Sequence, residues 1–245
     1  MDKNDFAGQP VLEVDFDGIH FTLLGTAHVS AKSLEAVVAA IDTGAFDTIA
    51  VELDANRHKQ LTQPDALYQL DIFQIIKQEK IGLVAANLSL AAYQRRLADQ
   101  LGIEPGAELK AASLEAQARN LRLELIDRDA GVTLKRTWAN LGFFKRAELA
   151  AGLGSSLLSS DEIGEQEIEQ LKEGDMLESS FGEFAKQTPE LYQSIIHERD
   201  LYMAAKLRQL SAYPEVRHVL AVVGAGHLAG LAKALQDTAR KDPAQ

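Results

Sequence analysis

The stretch FTLLGTAH, residues 21–28, decides the fold. An apolar run meets Gly25, and His28 stands three residues beyond it, where a parallel strand delivers side chains to its carboxyl edge. The pattern returns near the other end of the chain, where Val219 to Val223 runs into Gly224, Ala225, Gly226 and His227. Glycine lets the backbone turn off a buried strand without a Cβ clash. The residues that follow rise into the crevice where open α/β sheets bind ligands. Two matching strand-Gly-x-x-His corners, one near each end, predict a single site built from both. The alternative for each histidine is a helix cap or a bond to a loop carbonyl.

Working outward, residues 11–16 and 19–24 read as two strands joined at Asp17 and Gly18, a two-residue hairpin signal, with the first at the sheet edge. After His28, Ser30 suits an N-cap, and Leu34, Val37, Val38 and Ile41 form the stripe of an amphipathic helix that stops near Gly44. Residues 48–53, TIAVEL, are the next strand, so strand, helix and strand make a right-handed crossover. Glu52 is then expected at the carboxyl end of the neighbouring strand, beside the His28 corner. It either finds a partner, because an unpaired buried carboxylate is costly, or faces water at the strand end. Arg57, one helical turn on, suits that partnership or a bidentate grip on an anionic ligand group.

Residues 66–101 read as a helical insertion without chemistry, whose surplus of apolar positions leaves surface for a homodimer. Pro105 and Gly106 introduce a helix over 107–119, with Glu108 in its first turn, where a plain dipole-favoured carboxylate also fits. Residues 121–126 form another strand, running into Asp127 and Arg128. These are site residues or a cap with a surface ion pair. A helix opens after Gly131. Residues 161–183 carry nine Asp or Glu against one Lys, and the acidic segment to 187 reads as a solvated helical face.

Thr188 and Pro189 start a long helix. On an ideal wheel Leu191, Ile195, Ile196, Tyr202, Met203, Leu207 and Leu210 form its apolar arc, with Arg199 near the centre. Glu198 and Asp200 fall at the arc's edges and His197 points away. A guanidinium aimed at a core must meet carboxylates or a bound anion, whether as part of a site or as a structural ion pair. Residues 216–223 are the last strand and a final helix covers 228–240.

With 245 residues, 46% of them hydrophobic, the chain supports one domain spanning 1–245. A formal net charge of −11 disfavours nucleic acid as a partner. The absence of cysteine excludes disulfides, thiolate catalysis and zinc-cysteine sites. Any metal must therefore sit on histidine and carboxylate. No signal peptide opens the sequence and no apolar run is long enough to span a bilayer, so a soluble cytoplasmic domain is expected.

Six segments together, LLGTAHVS (23–30), VELDANR (51–57), PGAEL (105–109), LIDRDAGVTLKRTW (125–138), HERDLYMA (197–204) and VVGAGHLAG (222–230), carry a resemblance that covers the chain end to end. They resemble the TraB and PrgY pheromone-shutdown family, related to the Tiki metalloproteases and more distantly to the ChaN and erythromycin-esterase groups. The resemblance implies an α/β fold with a central, largely parallel sheet, flanking helices and two pseudo-equivalent halves. It also implies a metal-dependent, peptidase-like site. Its functional positions map onto His28, Glu52, Arg57, Glu108, Asp127, Arg128, Glu198, Arg199 and His227. Family members of the bacterial type continue into membrane helices, which implies a domain at the cytoplasmic face of a membrane, anchored by segments outside this chain.

On that basis the expected function is metal-assisted hydrolysis of a small peptide, with His28, His227 and Glu52 holding Mn²⁺, Co²⁺ or Zn²⁺. No HExxH signature is present. Glu198 or Glu108 would be the general base, and Arg57, Arg128 or Arg199 would stabilise the oxyanion or grip the peptide carboxylate. Two alternatives stand beside it. The domain either retains a small peptide signal without cleaving it, or hydrolyses an ester without metal. The acidic surface favours basic or neutral peptides.

Overall fold

The computed structural model describes Phe6 and residues 8–26, 31–63, 106–142 and 189–237. His28, Thr188, the helical insertion expected at 66–101 and the acidic segment of 161–187 lie outside the described residues. So does the surface on which the homodimer was expected.

Among the described residues five strands form the sheet: β1 (Val11–Phe16), β2 (Ile19–Thr26), β3 (Thr48–Val51), β4 (Arg122–Leu125) and β5 (His218–Gly224). Their order is β1-β2-β5-β3-β4, with β1 antiparallel to β2 and every other pair parallel. Asp17 and Gly18 both take positive φ, 49° and 77°, as a two-residue hairpin with the right-handed twist of its strands demands.

Because β2, β5 and β3 are covered on both faces, they read as continuous apolar runs instead of alternating ones. Their side chains still alternate between two cores. Phe21, Leu23, Val219, Ala221 and Val223 face Met203, Leu207, Leu228 and Leu231, which lie on α6 (Glu198–Arg208) and α7 (Leu228–Gln236). Leu24, Ile49, Val51, Leu220 and Val222 face Val37, Ile41, Leu109 and Ala112, on α1 (Ala31–Asp42) and α3 (Ala107–Ala118). Helices therefore flank a central sheet, as the α/β reading expected. Two further helices, α2 (Ala55–Thr62) and α4 (Ala130–Asn140), follow β3 and β4.

The topology corrects one placement. The crossover from β2 to β3 skips a position, and β5 fills it, so Glu52 neighbours the Gly224 corner of β5 and β3 is not paired with β2. Local pattern cannot reveal which distant strand will insert. The same insertion sets the two glycine corners side by side, with Gly25 opposite Val223 and Thr26 opposite Gly224. Gly25 itself does not turn the chain: β2 continues through Thr26. A Cβ at Gly25 would lie 2.4 Å from Leu228 Cδ1, so its lack of a side chain serves the close approach of α7. Among the described residues nothing divides this sheet into two equivalent halves.

The long helix is also not ideal. It begins as α5 (Pro189–Tyr192), opens into a π turn over Gln193–His197, and resumes as α6. The amide of Glu198 reaches back five residues to the Gln193 carbonyl. One extra residue in the turn shifts the wheel, which is why Asp200 is buried instead of lying at the arc's edge, while Leu191, Ile195 and Tyr202 are only half-buried. Among the described residues no helix is long and apolar enough to cross a membrane. The membrane association implied by the resemblance was expected through segments outside this chain, and none of these helices carries it.

Candidate functional site

The carboxyl edge of the sheet gathers charged residues from both ends of the chain. Glu52 follows β3 directly. Its amide donates to the Val222 carbonyl, and its Oε2 accepts the Gly224 amide at 2.7 Å. Asp127 follows β4, with its amide donating to the Leu53 carbonyl. His227 ends a single 3-10 turn after β5. Arg199 reaches them from the first turn of α6.

All five donors of Arg199 are used. Nε and Nη2 fork onto Asp127 Oδ1 and Oδ2 at 2.9 and 2.8 Å, and Nη2 also donates to Glu52 Oε1. Nη1 donates to the Ile195 carbonyl at 3.3 Å and to His227 Nε2 at 3.0 Å. Burial opposes the charge, but the carboxylates of Glu52 and Asp127 outweigh it and hold the guanidinium more firmly protonated than usual. His227 Nδ1 lies 2.6 Å from Asp200 Oδ1, and its Nε2 lies 3.4 Å from Glu52 Oε1.

A second cluster centres on Glu198. Arg136 forks onto both of its oxygens, and Arg128 Nη1 donates to Oε2 at 3.0 Å. Arg128 also donates to Thr133 Oγ1 and to the Ser194 carbonyl. The carbonyls of Ser194 and Ile195, both in the π turn, thus each take a guanidinium donor. Arg136, with help from Arg128, holds the Glu198 carboxyl below the usual glutamate range, against the smaller opposing effect of burial. A carboxylate held ionised by two arginines is a weak proton acceptor, so Glu198 does not suit the general-base role.

The sign of this effect is checkable. Because the folded-state value is depressed, the pairing contributes stability above the unfolded-state value, and that contribution disappears as pH falls through the folded one. In a carboxyl-carbon NMR titration, Arg136→Ala should move the Glu198 midpoint upward; an unmoved midpoint would refute the pairing.

Glu108 lies buried in the first turn of α3 and accepts Thr26 Oγ1 at 3.3 Å, so it faces the end of β2. Arg57 sits in the first turn of α2, whose N-cap Asp54 accepts the amides of Asn56 and Arg57. Its Nη1 is 4.0 Å from Asp127 Oδ2, and its side chain is 41% exposed. Asp129 caps α4 beside it, taking the Val132 amide and Asn56 Nδ2. The geometry therefore joins Glu52, Asp127, Arg199 and His227, keeps Arg57 at their rim, and assigns Arg128 and Glu198 to a separate cluster. Arg136 and Asp200 were not among the expected site residues. Arg136 lies within the LIDRDAGVTLKRTW segment, but only the tertiary approach of α4 to α6 pairs it with Glu198.

The metal expectation is overturned. Among the described residues no group of three or more His, Cys, Asp or Glu is arranged to hold a metal ion. Glu52 is committed to Arg199 and the Gly224 amide, and His227 is committed through both ring nitrogens. A guanidinium occupies the centre of the cluster, where a divalent cation would be repelled. Mn²⁺, Co²⁺ or Zn²⁺ on His227 and Glu52, and with it the metallopeptidase reading, does not fit this arrangement.

The profile of the TraB/PrgY/gumN family matches residues 10–242. The chain is 33% identical over 227 residues to the uncharacterized protein MJ1365 of Methanocaldococcus jannaschii, covering 90% of this chain and 55% of that one. It is 30% identical over 239 residues to the TraB domain-containing proteins of Homo sapiens and Bos taurus, covering 89% of this chain and 63% of each relative. The chain thus spans less than two thirds of the length of these relatives.

Proposed function

Because the chain belongs to the TraB/PrgY/gumN family, we propose that this domain binds a small peptide by its carboxylate and retains it without cleavage. The supporting observation is the contrast between its arginines. Arg199 is saturated, and Arg128 and Arg136 are engaged with Glu198, whereas Arg57 stands half-exposed at the sheet edge and, among the described residues, has only a 4.0 Å contact to Asp127. Asp127 is already forked by Arg199, so Arg57 keeps donors available for an incoming carboxylate. Metal-free ester hydrolysis is less well supported, because the Nε2 lone pair of His227 is already engaged by Arg199. Wider kinship with the Tiki and esterase groups, and the two equivalent halves it implies, carry no part of this reading.

The test compares short, neutral or basic fluorescent peptides bearing free or amidated C-termini, since the net charge of −11 disfavours acidic ones. Amidation and Arg57→Ala should each weaken binding about ten- to a hundredfold, the worth of one charge-assisted hydrogen bond. Together they should cost little more than either alone, because both remove the same contact. Equal affinity for the amide, or cleavage of the bound peptide, would sink the proposal.

A further inference from the structure

Asp200 is 1% exposed, yet among the described residues only one of its oxygens is satisfied. Oδ1 pairs with His227 Nδ1 at 2.6 Å, while the buried Oδ2 has no hydrogen-bond partner among the described residues. Oδ2 rests against α7 at Gly230, where a Cβ would come within 2.0 Å of it. Helices α6 and α7 therefore approach closely at a glycine, and the approach leaves a buried carboxylate half-satisfied. Such an arrangement opposes folding and persists where geometry demands it. The partners of His227 indicate the demand. Arg199 can only donate, so Nε2 must accept, and the ring proton belongs on Nδ1, facing Asp200.

We infer that Asp200 is a positioning residue: it holds His227 as the Nδ1-protonated tautomer, so that Nε2 completes the set of acceptors that fixes Arg199 between Glu52 and Asp127. If Asp200 is removed, the ring has another option. With the proton on Nε2 it can turn to Glu52 Oε1, 3.4 Å away, and release Arg199. The inference concerns the free protein and stands apart from peptide binding.

Long-range ¹⁵N–¹H NMR of the His227 ring at neutral pH distinguishes the tautomers. The wild-type protein should show a protonated Nδ1 and a bare Nε2. In Asp200→Ala the Nε2-protonated form should become a major population. Asp200→Asn should retain the wild-type pattern, because among the described residues no donor holds the second oxygen and the amide can turn its own oxygen toward His227. A wild-type proton on Nε2, an unchanged pattern in Asp200→Ala, or loss of the pattern in Asp200→Asn would each overturn the assignment. The wild-type measurement alone decides the tautomer if a variant fails to fold. None of these signals requires a ligand, so they stand or fall separately from the peptide reading.

Discussion

Arg199→Met is expected to lower the stability of the domain by roughly 3–5 kcal/mol, the usual cost of removing one partner from a buried charge cluster. Glu52 and Asp127 are 3% and 7% exposed, and both would lose their principal donor. His227 Nε2 would lose its donor as well. Methionine fills much of the vacated volume, so the loss reports on charge and not on a cavity. Against a typical stability of about 5–15 kcal/mol, this is enough to leave a marginal fold partly unfolded at 25 °C. Arg199→Lys should recover little, since an ammonium has three donors and cannot fork onto Asp127. Urea denaturation of the three proteins gives the answer. A loss below about 1 kcal/mol in Arg199→Met would mean that the cluster is solvated and that its carboxylates need no guanidinium.

Glu52→Gln, a nearly isosteric change, should cost about 3 kcal/mol for a different reason. Oε1 accepts from Arg199 and Oε2 accepts from the Gly224 amide, so both oxygens face donors. A glutamine must aim its NH₂ at one of them, which leaves a donor against a donor in a buried place. The same substitution separates binding from chemistry. Glu52 is buried beneath the rim formed by Arg57, so peptide affinity, measured at a temperature where the variant stays folded, should remain within about twofold of wild type. A stable Glu52→Gln protein would refute the pairing, whereas a folded one that has lost its peptide affinity would place Glu52 in contact with the ligand.

Particular residues show how far the amino-acid order reached. The hairpin at Asp17 and Gly18, the apolar strands at 19–24, 48–51 and 219–223, and the helices near 31–42 and 107–118 were legible, because turn geometry and periodicity act over a few residues. Charges at strand ends were equally visible. Glu52, Asp127 and Arg199 stood out since a charge in an apolar run requires a partner. Two readings failed for physical reasons. A wheel of constant pitch cannot anticipate the π turn at Gln193–His197, which moved Asp200 into the core. Ligand-type reasoning counted His227 and Glu52 as available to a metal, whereas the fold gives their lone pairs to Arg199 and their remaining valences to Asp200 and Gly224.

By itself the sequence determined the alternation of strands and helices and which charged residues must find partners, because each depends on local sterics or on the cost of burying a charge. Only the tertiary structure decided that β5 inserts between β2 and β3, that the guanidinium of Arg199 occupies the centre of the cluster, and that Asp200 packs on Gly230. Those outcomes depend on contacts between segments far apart in the chain, and no local pattern encodes which distant partner will arrive.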